Sequence, residues 1–162
     1  MTKLRFLLAM GLIPCAVAAQ YDMSGAEFGA GSEFAQRDLY SRGGNRANVF
    51  QDGYNNAAVV LQQGQGNQAR IHQIQGSNLA IVAQRGAANV AEVSQSDGRN
   101  TAVVLQAGVA NVASVEQTEF DNSAYVVQKG KGNVAQIYQN GINRSAGIVQ
   151  NSSGMAIRIT QH

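Results

Sequence analysis

The chain has 162 residues, enough for one domain with a core, but charged residues make up only 14% where a typical domain has about 25%. The formal net charge is +2, and no run of lysine or arginine forms a basic patch, which argues against a nucleic-acid partner. Proline occurs once. Low charge and scarce proline remove two natural barriers to association between strands, so the composition favours a protein that assembles.

Residues 1–19 have the parts of a secretory signal peptide: Lys3 and Arg5, an apolar stretch, and small residues before the expected cleavage site. The apolar stretch is shorter than the ~20 residues that a transmembrane helix needs. Cys15, the only cysteine, lies inside the signal, so the mature chain is expected to have no disulfide and no cysteine metal site. A lipid-modified cysteine is the alternative, and Pro14 argues against it. We therefore expect an exported protein.

The segment 20–44 carries no repeat and mixes glycine, serine and charged residues. This composition favours a flexible N-terminal leader. The region that follows, 45–162, is periodic throughout. The sequence therefore divides into a signal peptide at 1–19, a leader at 20–44 and a repeat region at 45–162.

The repeat region has a period of eleven residues, and its units follow the pattern Asn-x-Ala-x-(Val/Ile)-x-Gln. The exceptions are Arg144 and Met155 in the asparagine slots of the last two units and Ile157 in the last alanine slot. Fixed residues at every second position are typical of a β-strand with one repeated face, because successive side chains point to opposite faces. An eleven-residue helical repeat would instead place its apolar residues at i, i+3, i+4 and i+7. Four residues rich in glycine separate one unit from the next. The pattern predicts strand, turn, strand, turn.

One such unit buries too little to offset the ordering of its backbone, which costs about 1–2 kcal/mol per residue. Units stacked about 4.8 Å apart would pair their backbones, and their amide side chains would form continuous ladders. Ladders of this kind satisfy polar groups that are costly to bury unpaired. The predicted core ladder consists of Gln62, Gln73, Gln84, Gln95, Gln106, Gln117, Gln128, Gln139, Gln150, Gln161, Asn67, Asn78, Asn89, Asn100, Asn111, Asn122 and Asn133.

The outward positions of the strands show a second period, apolar in one unit and mostly polar in the next. The full repeat is therefore 22 residues, one strand in each of two facing sheets. We predict an all-β fold, a cross-β, amyloid-like β-solenoid of about five 22-residue strand-turn-strand-turn repeats plus one extra N-terminal strand. The apolar outer stripe of one sheet is expected to contact another subunit, a fibre or a surface. Alternatively, an exposed strand carries Val and Leu because they favour strands.

Residues able to carry catalysis are few in the repeat region. His72 and His162 are far apart in the repeat, and no pair of carboxylates stands out from the others. The glycine-rich turns lack the following helix of a phosphate site. We predict no catalytic, metal or cofactor-binding residues, no cofactor and no enzymatic activity. A β-helical carbohydrate-active protein stays open as an alternative, because parallel β-helices host such enzymes.

The stretch Gln128-Lys129-Gly130-Lys131-Gly132-Asn133-Val134-Ala135, followed by Gln139, resembles the curlins, the subunits of bacterial curli amyloid fibres. The resemblance covers about 45–162. Within the family the chain is most similar to the minor, nucleating subunit. Three features indicate this: the closing stretch at 155–161, the basic charge balance, and the lack of a glycine-rich start to the mature chain.

The resemblance implies secretion through the outer-membrane curli pore with its accessory factors, and a place on the surface of a Gram-negative bacterium as part of an extracellular fimbrium. It also implies a partner, the major curlin subunit, which this chain would nucleate into fibres that serve adhesion and biofilm. By analogy, Arg144 and Arg158 in the last two units are expected to serve attachment to the cell surface. The alternative within the family is the major fibre subunit.

Overall fold

The computed structural model describes residues 44–162, and this part of the chain is all-β, with eleven strands and no helix. The signal peptide predicted at 1–19 and the leader predicted at 20–44, apart from Gly44, lie outside the described residues. Nothing in 44–162 has the helical length and apolar character that a membrane crossing requires. The strands are β1 (Arg46–Tyr54), β2 (Ala57–Gln65), β3 (Gln68–Gly76), β4 (Leu79–Ala87), β5 (Val90–Gln95), β6 (Thr101–Val109), β7 (Val112–Thr118), β8 (Ser123–Lys131), β9 (Val134–Asn140), β10 (Ser145–Gln150) and β11 (Ala156–Gln161).

The strands form two sheets, each of parallel strands, and successive strands along the chain belong alternately to one sheet and to the other. The six-stranded sheet has the order β1-β3-β5-β7-β9-β11, and the five-stranded sheet has the order β2-β4-β6-β8-β10. Each residue pairs with the residue 22 positions later, as Ala80 does with Ala102. We call one 22-residue layer of this stack a rung. This arrangement confirms the predicted β-solenoid, with the extra N-terminal strand, β1, at the edge of the six-stranded sheet.

The core lies between the two sheets and contains the alanine and β-branched positions of the repeat. Inward alanines and valines of the central rungs, such as Ala80, Val82, Ala102 and Val104, have no exposed surface. Because parallel stacking repeats each environment every rung, one residue type fits all rungs of a column. The repeat in the sequence is thus a direct consequence of the packing.

Leucine in place of Ala102 is expected to lower the free energy of unfolding by about 1–3 kcal/mol, because the added methylenes overfill a closed core. Ala102 is completely buried between Ala80 and Ala124 in the same column. Ala83→Leu is the matched control, since it makes the same change at an outward position that is only partly buried and lies level with Leu105. Guanidinium chloride titrations followed by circular dichroism would compare the two variants. Equal losses in both would contradict the packing described above.

The segments that join the sheets bend at glycines that touch the next rung. Gly64, Gly86, Gly108 and Gly130 occupy the same slot, with φ of 109°, 113°, 126° and 113°. A Cβ on Gly86 would overlap the carbonyl oxygen of Gly108. The turns are shorter than the four residues expected, since β2 continues through Gly64 to Gln65. Stacked turns pair their backbones, which extends the ladder of strand hydrogen bonds.

Candidate functional site

The glutamines form two hydrogen-bonded columns along the stack. Each Nε2 donates to the Oε1 of the glutamine one rung later, at 2.7–2.9 Å. One column contains Gln51, Gln73, Gln95, Gln117, Gln139 and Gln161, and the other contains Gln62, Gln84, Gln106, Gln128 and Gln150. Every Nε2 donor in a column points toward the rung that comes next along the chain, so the columns have a direction.

The same amide groups also hold the two sheets together. Gln106 Nε2, from the five-stranded sheet, donates to the carbonyl oxygen of Val90 in the six-stranded sheet at 2.9 Å. Gln95 makes the corresponding bond in the other direction, to the carbonyl oxygen of Leu79 at 3.1 Å. Both glutamines are almost completely buried. Each of these side chains therefore links its own sheet to the opposite sheet and to the next rung.

The asparagines form two further columns with the opposite direction. Asn89 Oδ1 accepts from the backbone N–H of Asn111, one rung later, at 3.2 Å. The Nδ2 group of Asn89 donates to the carbonyl oxygens of Arg85 and Gly108, which fixes the turn. One column contains Asn45, Asn67, Asn89, Asn111 and Asn133, and the other contains Asn56, Asn78, Asn100 and Asn122.

These columns also contain three residues near the start of the repeat region that the predicted core ladder did not include. Gln51 joins Gln73 at 2.7 Å, and the Oδ1 of Asn45 accepts from the N–H of Asn67 at 3.0 Å. Asn56 Oδ1 likewise accepts from the N–H of Asn78 at 3.1 Å. The sequence does indicate all three residues, because their positions match the eleven-residue spacing.

The asparagine columns end at two residues that have no amide. Arg144 N–H donates to Asn122 Oδ1 at 3.0 Å, and Met155 N–H donates to Asn133 Oδ1 at 3.1 Å. The guanidinium of Arg144 turns back over the last rung, where Nη2 donates to the carbonyl oxygen of His162 at 2.7 Å. The repeat is therefore intact at the β1–β2 end of the stack and altered at the β10–β11 end.

The structure does not bring Arg144 and Arg158 together. Arg144 lies in the turn before β10, and Arg158 lies on the outer face of β11, level with Gln136 on β9. Both side chains are exposed. Their role in surface attachment stays a prediction.

The outer faces of the two sheets differ in chemistry. The five-stranded sheet carries a shallow apolar groove along Leu61, Ala83, Leu105 and Val127. The six-stranded sheet carries polar groups, among them the ion pair of Arg70 with Glu92 at 3.2 Å. Exposed pairs of this kind contribute at most about 1 kcal/mol.

The histidines do not form a reactive cluster. His72 packs on Phe50 with ring centroids 5.0 Å apart, and His162 lies 5.9 Å from Tyr138. Across residues 44–162 no three His, Cys, Asp or Glu side chains come together in a way that would hold a metal ion. The described residues offer instead two ends of a stack, where the outermost strands have free backbone edges that can pair with a further strand.

Comparison with known proteins agrees with this geometry. No curated protein matches the chain. A protein-family model described as Curlin associated repeat matches residues 44–74, which contain all of β1 and β2 and most of β3. Over these residues the chain is similar to the curlin-associated repeat.

Proposed function

We propose that the chain is a minor curli subunit, which nucleates the assembly of a major curlin into extracellular fibres and tethers them to the cell surface. One observation carries the proposal: the two ends of its stack are chemically unequal. A fibre subunit that repeats many times needs two ends that fit each other. Here Arg144 and Met155 replace asparagine at one end only, which suits a chain that starts a fibre.

The proposal includes the path to the surface. Residues 1–19 would direct export, the outer-membrane curli pore and its accessory factors would secrete the chain, and the altered last units with Arg144 and Arg158 would face the cell. Two exposed cations, one in the turn before β10 and one on β11, suit contact with an anionic envelope component. The repeats from 45 onward would then be available to the major subunit.

Nucleation is tested by adding a trace of the mature chain to a monomeric major curlin and following assembly by thioflavin fluorescence. The lag is expected to shorten several-fold, because a preformed edge replaces the slow step of nucleation. The same trace of the chain without the major curlin controls for its own signal. An unchanged lag would refute the nucleating role.

The second candidate is the major fibre subunit, because the ladders extend through most of the described chain. That function requires rapid assembly of the chain alone and a dominant share of detergent-insoluble fibres. Quantifying this chain against other curlin-repeat proteins in such fibres separates the two functions. A minor share supports the nucleator, and a dominant share supports the fibre subunit.

A further inference from the structure

The two ends of the stack offer different hydrogen-bonding groups, because the amide columns have a direction. We propose that the β1–β2 end is the end that templates, and that it takes a chain of the same repeat whose last two units keep asparagine in both asparagine slots. This inference rests on the proposed function and adds the polarity of growth and the chemistry of the partner.

Besides the backbone groups of its two strand edges, the β1–β2 end presents two acceptors and two donors from the amide columns. Each glutamine Nε2 in the columns donates to the glutamine 22 residues later. Gln51 and Gln62 are the first in their columns, so within residues 44–162 their Oε1 atoms receive no amide donor. The backbone N–H at each asparagine position donates to the Oδ1 atom of the asparagine 22 residues earlier. The N–H groups of Asn45 and Asn56 therefore have no such acceptor in the described chain.

A rung placed beneath β1 and β2 satisfies all four groups if it carries the full repeat. Its two glutamines would supply Nε2 donors to Gln51 and Gln62, and its two asparagines would supply Oδ1 acceptors to the N–H groups of Asn45 and Asn56. Every interior rung makes these same contacts, as Gln84 with Gln106 at 2.9 Å and Asn89 with Asn111 at 3.2 Å do. The end of the stack is thus a preformed copy of an interior rung.

The β10–β11 end does not offer the same fit. Arg144 and Met155 have no side-chain oxygen, so any rung stacked on them would bury two N–H groups without acceptors, which proteins avoid. The Arg144 guanidinium already covers part of this end through its bond to the carbonyl oxygen of His162. Ile157, which stands in the alanine slot, pairs with Ala135 and adds bulk to the same end.

The same groups discriminate against a second copy of this chain. Because the stack has an odd number of strands, a second copy continues it only after half a turn about the axis, with its β10 beneath β1 and its β11 beneath β2. This would place Arg144 and Met155 beneath Asn45 and Asn56, leaving both N–H groups without Oδ1. A chain with asparagine in both slots avoids this loss. The partner is therefore a related repeat protein with an intact last rung, and self-association along the axis is disfavoured.

Two matched variants test which end templates. Val49→Lys and Ile159→Lys place an inward charge in the same slot of the six-stranded sheet, on its first and last strands. Both positions lie at an edge and are partly exposed, so the stack tolerates the change; circular dichroism checks the fold. If either variant misfolds, Ala47→Lys and Ile157→Lys form the replacement pair.

The probe is the full-length mature chain carrying R144N and M155N, which has an intact last rung, passed as monomer over the immobilised wild-type chain. We expect Val49→Lys on the surface to reduce the deposition rate about tenfold or more, and Ile159→Lys to change it less than about twofold. Equal losses, a loss confined to Ile159→Lys, or no deposition on the wild-type chain would overturn the assignment of the end.

A second arm tests the choice of partner by passing wild-type monomer over the same surface. It is expected to deposit about tenfold more slowly than the R144N/M155N probe, because each buried N–H left without an acceptor is costly. Equal rates would overturn the requirement for asparagine. Failure of the trace chain to shorten the lag of a major curlin would refute the proposed function, whereas success there with equal effects of the two lysine variants would refute only the assignment of the end.

Discussion

Glutamate in place of Gln139 is expected to lower the free energy of unfolding by about 3–5 kcal/mol, the cost of an uncompensated charge in the interior. Gln139 is completely buried. Its Nε2 donates to Gln161 Oε1 at 2.9 Å and to the carbonyl oxygen of Ser123 at 3.2 Å. A carboxylate keeps the bond received from Gln117 but turns an oxygen toward both of these acceptors. Repulsion then replaces two hydrogen bonds.

The control for this variant lies on the same strand and makes the same chemical change. Gln136 is exposed on the outer face of β9, level with Ser114 and Arg158. Gln136→Glu is expected to change the unfolding free energy by less than about 0.5 kcal/mol, as surface substitutions usually do. Guanidinium chloride titrations of both variants measure the difference. Similar midpoints for the two would mean that the glutamine column does not stabilise the stack.

The inner face of the fold was predictable because stacking imposes one environment on each column. A position that meets its own copy above and below must hold a residue that packs or hydrogen-bonds with itself, such as Ala80 with Ala102 or Gln84 with Gln106. That constraint appears in the sequence as a fixed residue every 22 positions. Outward positions meet solvent, so their residues vary and carry less information about contacts.

Contacts that depend on a single rung could not be predicted from the repeat. The bond from Arg144 to the carbonyl oxygen of His162 forms only where the column of asparagines stops. A second example lies in the stacked turns, where two glycines fit between two aromatic side chains. Gly76 lies against the ring of Tyr54, and Gly98 lies near the ring of Phe120. Neither arrangement repeats, and periodicity therefore gives no signal for it.

Alanine in place of Gly108 is expected to lower the free energy of unfolding by about 2–6 kcal/mol, from backbone strain and steric overlap together. Gly108 has a φ of 126°, outside the range that suits a side chain. A Cβ there would overlap the carbonyl oxygen of Gly130, which is paired backbone and cannot move aside alone. The rungs on either side of Gly108 would have to separate, and the glutamine and asparagine columns would lengthen with them.

Gly132→Ala is the matched control, because this glycine also has a positive φ, of 67°, but no atom lies within 4 Å of the position that a Cβ would take. Ala88 and Ala110 occupy the same slot in other turns with φ of 55°. The control is therefore expected to cost about 1 kcal/mol, the ordinary penalty of a left-handed residue. Thermal and denaturant unfolding of both variants separate the two effects. A small loss of unfolding free energy for Gly108→Ala would show that the turns of neighbouring rungs are not in tight contact. The turns would then not fix the spacing of the glutamine and asparagine columns.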